Sequence, residues 1–158
     1  MKFFLILALL VVCACGFTPV YGTKSPSADL SSIFVDTIAN REGQIVRNHL
    51  IDRLYQDGYP SNTDYTLMIA PITENIVEIG IDRDDEASRA QLRQKTTLQL
   101  KDVKTNSIVL NRTVRATSGY NILTGQFTTY VTEDDARAQT LKALSNNIIT
   151  QLELYFKK

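Results

Sequence analysis

Arg89-Ala90-Gln91-Leu92-Arg93-Gln94-Lys95-Thr96-Thr97-Leu98-Gln99-Leu100-Lys101 alternates between two kinds of side chain. Ala90, Leu92, Leu98 and Leu100 share one face with Gln94 and Thr96. Arg89, Gln91, Arg93, Lys95, Thr97, Gln99 and Lys101 share the other. Successive side chains of a strand point to opposite faces, so this pattern predicts a strand packed on one side and solvated on the other. Asp102 to Ser107 reads as a turn, and Ile108 to Thr117 returns as the hairpin partner. On that partner Ile108, Leu110, Val114 and Ala116 fall with Arg112, while Asn111, Thr113 and Arg115 point the other way.

Working outward, Tyr65 to Ile72 alternates in the same manner. It continues, bent at Pro71, through Ile76 to Ile81, and Asp82 to Glu86 is a polar turn. Ile33 to Ile38 is β-branched and aromatic, and reads as a first strand. Between these strands Asn40 is placed to cap a helix with Gly43 in its first turn. Ile45, Val46, Leu50, Ile51, Leu54 and Tyr55 recur at helical spacing until Gly58 and Pro60 stop it. Downstream, Ser118 to Thr132 reads as a loop, or a short extended segment, with exposed aromatics, Tyr120, Phe127 and Tyr130. Thr132 or Glu133 then opens a last helix with Asp134 and Asp135 in its first turn. Its apolar stripe is Leu141, Leu144, Ile148, Leu152 and Tyr155. The order β-α-β-β-β-α predicts an α+β two-layer sandwich, two helices on one face of a mostly antiparallel sheet.

The N-terminus carries a different signal. Met1 to Ala14 has one early cation, Lys2, then an apolar run from Phe3 to Val12, the layout of an export signal. The run falls short of the about 20 apolar residues that a spanning helix needs. Val12-Cys13-Ala14-Cys15 has the form of a lipobox, so residues 1–14 are expected to be removed and Cys15 to become a lipidated first residue. Residues 15–32, with Pro19, Gly22 and Pro26, read as an extended linker. Residues 33–158 read as one α+β domain. Gly16 after the cysteine, rather than Asp, points to the outer membrane under enterobacterial sorting rules.

Composition removes several classes of chemistry. Cationic and acidic residues number 17 each, so no global basic field exists for nucleic acid. Both cysteines, Cys13 and Cys15, lie in the signal region, which leaves the domain without a thiol. His49 is the single histidine, and no nucleophile or orienting carboxylate is nominated beside it. Asp82, Asp84 and Asp85 lack the glycine and glutamate of a calcium loop. No nucleotide-binding glycine loop and no nucleophile elbow is present. The expectation is a non-enzymatic chain with no cofactor and no metal. One constellation remains: Arg89, Arg93 and Lys95 on one strand face, with Arg115 of the partner strand able to join them. Such a cluster suits phosphate or carboxylate groups.

The stretch Cys15-Gly16-Phe17-Thr18-Pro19-Val20-Tyr21-Gly22 resembles the leader of the LPS-assembly lipoproteins (LptE), particularly of the alphaproteobacterial type. Ser118-Gly119-Tyr120-Asn121-Ile122-Leu123 and Gln126 to Arg137 are similar to their segment before the last helix, with departures at Thr128 and Thr132, where Ala is expected. The resemblance covers the mature chain, with short motifs. It implies an outer-membrane lipoprotein, anchored by its N-terminal lipid and facing the periplasm and the lumen of its partner, the LPS-assembly β-barrel, which it plugs and helps to fold. It also implies lipopolysaccharide as ligand. Arg89, Arg93, Lys95 and Arg115 are the candidate ligand residues from the pattern, and Tyr120, Phe127 and Tyr130 the candidate barrel contacts. A lipoprotein adaptor of another envelope lipid-transport complex is the alternative.

Overall fold

The alternating strand is the spine of the molecule. The computed structural model describes residues 30–56, 58–81, 87–122 and 125–157. The expectations about residues 1–14, Cys15, most of the linker and the Asp82–Glu86 turn lie outside the described residues. The elements are β1 (Ile33–Val35), α1 (Asn40–Leu54), β2 (Tyr65–Ile69), β3 (Thr73–Ile81), β4 (Ala87–Asp102), β5 (Ile108–Asn121) and α2 (Gln126–Phe156). β4 pairs antiparallel with β5 along nearly its whole length. Its other side takes β3 over Ala87–Lys95 and β2 over Leu98–Asp102. β1 adds to β2 in parallel. This is the expected two-layer α+β arrangement, with the bent second strand counted as β2 and β3.

The bend has a local cause. Pro71 has no N–H to give to a ladder, so pairing lapses around it. β4 holds the gap: the Ala70 N–H donates to the Thr97 carbonyl at 2.9 Å, and the Thr96 hydroxyl donates to the Ala70 carbonyl at 2.6 Å.

Burial follows the alternation. Ala90, Leu92, Gln94, Thr96, Leu98 and Leu100 are buried, and both helices lie on that face. Val46, Leu50 and Leu54 of α1 and Leu141, Leu144, Ile148 and Leu152 of α2 pack on Leu67, Leu98, Leu100, Leu110, Val114 and Ala116. Leu30 already packs against this core. α1 approaches closely at Gly43, where a Cβ would stand 2.6 Å from Ile38 Cγ2. A smaller cluster, Ala90, Leu92, Tyr120 and Ala136, lies under the first half of α2.

Four expectations need correction. β1 ends at Val35, although Ile38 is buried. Ala39, not Asn40, occupies the N-cap of α1, and no side chain caps it. Ile108 leaves the packed face: a bulge at Leu100/Lys101 pairs it with Lys101 and leaves it 52% exposed. Finally, of the stretch Ser118–Thr132 the first part is extended, as one of the two readings had it, and the last part is helical. β5 runs on to Asn121 and α2 begins at Gln126, so Tyr120 is a core residue at 9% exposure rather than a loop aromatic. Glycines at 119 and 125 suggested a loop, but Ala90 and Gln91 stand opposite Tyr120 and Gly119 in the ladder and carry the strand through.

An ionic knot ties the first half of α2 to β3. The Arg137 guanidinium donates from Nε to Glu74 Oε2 at 3.1 Å and from Nη2 to Glu74 Oε1 at 3.0 Å. It also reaches Glu133 Oε1 at 2.6 Å and Asp134 Oδ1 at 2.8 Å. Buried Gln94 donates to the same Glu74 at 2.8 Å. Burial alone would push the Glu74 carboxyl up, but the hydrogen bonds from Arg137 and Gln94 prevail and hold it below the usual range. A carboxylate with a depressed folded pKa contributes stability above its unfolded pKa and loses it as pH falls through the folded value. Glu74→Gln is therefore expected to cost about 1 kcal/mol at neutral pH, the upper end for a partly exposed pair. Urea melts should show the difference from wild type shrinking as pH falls below the ordinary glutamate range of about 4. A difference independent of pH would contradict this role for the knot.

Candidate functional site: the open basic face of the sheet

The side chains that β4 cannot bury line the opposite face of the sheet, which neither helix touches. The ladder registers show what shares it. Lys95 stands directly across from Arg115 on β5 and Thr73 on β3. Arg93 lies between Thr117 and Asn75, Gln91 between Gly119 and Val77, and Arg89 between Asn121 and Ile79. Lys101 continues the row beside Thr66 of β2. The expected grouping of Arg89, Arg93 and Lys95 with Arg115 is thus what the fold brings together. Alternate residues on a strand are spaced about 7 Å apart, so the cations form a ladder rather than a single cup.

Directly opposed residues share a face, so the whole face can be read from the registers. It presents Phe34, Thr66 and Met68 from β1 and β2, and Thr73, Asn75, Val77 and Ile79 from β3. β5 adds Asn111, Thr113, Arg115, Thr117, Gly119 and Asn121. None of these is acidic. Among the described residues no ion pair involves Arg89, Arg93, Lys95, Lys101 or Arg115, whereas the helix side holds the Glu74, Glu133, Asp134 and Arg137 knot. Among the described residues the acids of the strands, Glu74, Glu78 and Asp102, fall on the helix side of the sheet.

The cations are accessible: Arg89, Arg93, Lys95 and Arg115 are all exposed. Gln91 orients one of them, its Oε1 accepting from Arg93 Nε at 2.7 Å and from Nη2. The Lys95–Arg115 pair is an opposition of like charges, which weakens a sheet unless something anionic bridges it. Apolar side chains flank the ladder, with Ile79 43% and Phe34 41% exposed. Charge beside grease suits an anionic amphiphile. Cations in this setting make charge-assisted hydrogen bonds to phosphate oxygens, Arg in a bidentate fork.

The aromatic candidates separate. Phe127 and Tyr130 lie on the first turns of α2, 81% and 65% exposed, with Val131 beside them at 53%. Tyr120 is held in the core, its hydroxyl 3.5 Å from Glu133, and burial followed by that carboxylate raises its pKa. Among the described residues no cluster of His, Cys, Asp and Glu is arranged to hold a metal ion, and no helix is long and apolar enough to cross a membrane. Sequence reasoning missed the Arg137 knot. Its helical half, Glu133 and Arg137 at i and i+4, was legible. Its strand half, Glu74, depends on a pairing between distant elements.

No protein-family model matches the chain, and no curated protein sequence matches it. Solved structures do. A structure from Caulobacter crescentus CB15, described as that of a lipoprotein, is similar at TM-score 0.65 and 20% identity, covering 84% of this chain and 96% of that one. A minor lipoprotein from Acinetobacter baumannii is similar at TM-score 0.59 and 17% identity, covering 78% and 92%. Rare lipoprotein B from Shewanella oneidensis is similar at TM-score 0.59 and 9% identity, covering 77% and 91%. At such identities the likeness is one of fold: this chain has the two-layer fold of these small lipoproteins.

Proposed function

We propose that this chain is an LPS-assembly lipoprotein of the alphaproteobacterial type, lipid-anchored at Cys15 to the outer membrane after removal of residues 1–14. In this reading it is a binding and scaffolding protein, not an enzyme. The exposed sheet face engages the phosphates of lipopolysaccharide. Phe127 and Tyr130 contact the LPS-assembly β-barrel, with which the chain forms a complex that delivers lipopolysaccharide to the outer leaflet.

The observation that carries the reading is the face of Arg89, Arg93, Lys95, Lys101 and Arg115, which among the described residues holds no carboxylate, in a chain of zero net charge. Solubility alone is served by mixed charges and gives no reason to sort them. A polyanionic ligand does, because each cation left without a carboxylate keeps its donors for phosphate oxygens. The leader sequence supports the envelope setting, and the fold shared with small lipoproteins, rare lipoprotein B among them, agrees with it. Three acyl chains on Cys15 would hold the protein permanently, since one chain gives only reversible binding.

Two measurements test this. Lys95→Glu places opposite charges across β4 and β5. It is expected to leave the fold as stable or to raise stability by about 0.2–1 kcal/mol. The same change is expected to weaken binding to lipopolysaccharide by about tenfold, with the loss growing smaller as salt rises. Unchanged affinity would reduce the face to a solvated surface. Separately, a tag after Lys158 should recover one large β-barrel in equal amount from outer membranes solubilised in mild detergent. Recovery of an inner-membrane transporter instead would overturn the barrel partner and favour an adaptor.

A further inference from the structure

The backbone edges of the sheet are not treated alike. Ser88 accepts from Ile122, and Thr97 accepts from Ala70, so the even residues of β4 face β5 and its odd residues face β2 and β3. It follows from the registers that Glu74, Ile76 and Glu78 of β3 turn their N–H and C=O groups away from the sheet. The equivalent outward groups of β1 are taken by α1. The Tyr55 hydroxyl receives the Val35 N–H at 3.0 Å and donates to the Ile33 carbonyl at 2.9 Å, and Arg47 reaches the Val35 carbonyl at 3.3 Å. On β5, α2 caps two outward carbonyls: Asn147 donates to Arg115 at 2.9 Å and Thr132 to Asn121 at 3.3 Å. Among the described residues no side chain does the same for β3.

The outer edge of β3 has the length of a full strand position. β1 lies against β2, and β3 continues the line of β2 past the Pro71 bend. Among the described residues no strand continues the row of β1 along the nine residues of β3. We propose that the outer edge of β3 is a strand-addition site for an extended segment of another polypeptide, cationic on the side that faces α2 and apolar on the other. Alternating outward N–H and C=O groups are complementary to another extended backbone and to little else. Side-chain chemistry sets the rest. The helix-facing neighbours of the added strand are Glu74, Ile76 and Glu78, and Glu78 makes no ion pair among the described residues. The neighbours on the open face are Thr73 and Asn75 at one end and the apolar Val77 and exposed Ile79 at the other, nearest Glu78. In a two-fold pairing of two copies centred on Ile76, Glu74 meets Glu78 twice, and in one centred on Glu78 that residue meets itself, whereas one centred on Val77 sets Glu78 against Ile76, so a second copy is an outcome that the test must separate from the proposed occupant. The backbone groups of the site point outward from the edge, away from the cation ladder, so strand addition does not depend on the ligand proposed for that face.

The test uses the ¹⁵N-labelled soluble chain from Gly16 to Lys158 and the peptide acetyl-Thr-Lys-Val-Lys-Val-Lys-Val-Lys-Thr-amide. Amide exchange is followed residue by residue. Saturating peptide should slow exchange at Ile76 and Glu78 by about tenfold or more, while Asn75 and Val77, already bonded to β4, stay unchanged. The same peptide N-methylated at its lysines has the same charge but cannot form the ladder, and it should have no effect. Glu78→Gln should weaken binding by about threefold, and Ile76→Pro, which removes an N–H that β4 does not use, should abolish it. Absence of protection, or equal protection by the N-methylated peptide, overturns the proposal. Protection that rises with protein concentration alone, before any peptide is added, assigns the edge to a second copy and overturns the proposed occupant.

Discussion

A strand can bury only every second side chain, and the rest of this molecule follows from how β4 meets that constraint. Leu92, Leu98 and Leu100 are fully buried, each worth about 1.5–3 kcal/mol relative to exposure. A slip of one residue would exchange them for Arg93, Gln99 and Lys101. The register is thereby fixed against every neighbour that β4 has. Both helices must then lie on the leucine side, and the cations are left together on the other. The open basic face is thus the geometric remainder of the core.

The two layers are not equally secured along their length. Where α1, β1 and β2 take part, the core is built of large aliphatic side chains. Under the first half of α2 it narrows to Ala90, Leu92, Tyr120 and Ala136. There the polar layer of Gln94, Glu74 and Arg137 takes over the task of positioning the helix. Hydrogen bonds between charged groups hold geometry well but add less stability than buried leucines when partly exposed. The exposed Phe127 and Tyr130 sit on this more lightly held half of α2.

Much of this was legible in the sequence because period-two alternation reports burial directly. Every even residue from Ala90 to Leu100 is buried as the pattern predicted, including Gln94 and Thr96. The sharing of one face by Arg115 and Lys95 needed only the hairpin register. Three features were not legible, each for a physical reason. Ile108 changed face because a bulge inserts one residue into the ladder, and bulges leave little trace in composition. The final strand and helix ran closer together than expected because Gly119 and Gly125 read as loop residues, whereas the pairing with β4 and the length of α2 are decided by tertiary contacts. Glu74 joined Arg137 across 63 positions, a distance over which no local pattern speaks.

Site-specific photocrosslinking in cells, with a photoreactive residue placed at Gln91 or Thr117 on the open face or at Gln139 on α2, decides whether the open face or the helix layer meets the anionic ligand. Lipopolysaccharide is expected to be captured from Gln91 and Thr117 and not from Gln139. Capture from Gln139 alone, or from all three positions alike, would remove the open face as the ligand site.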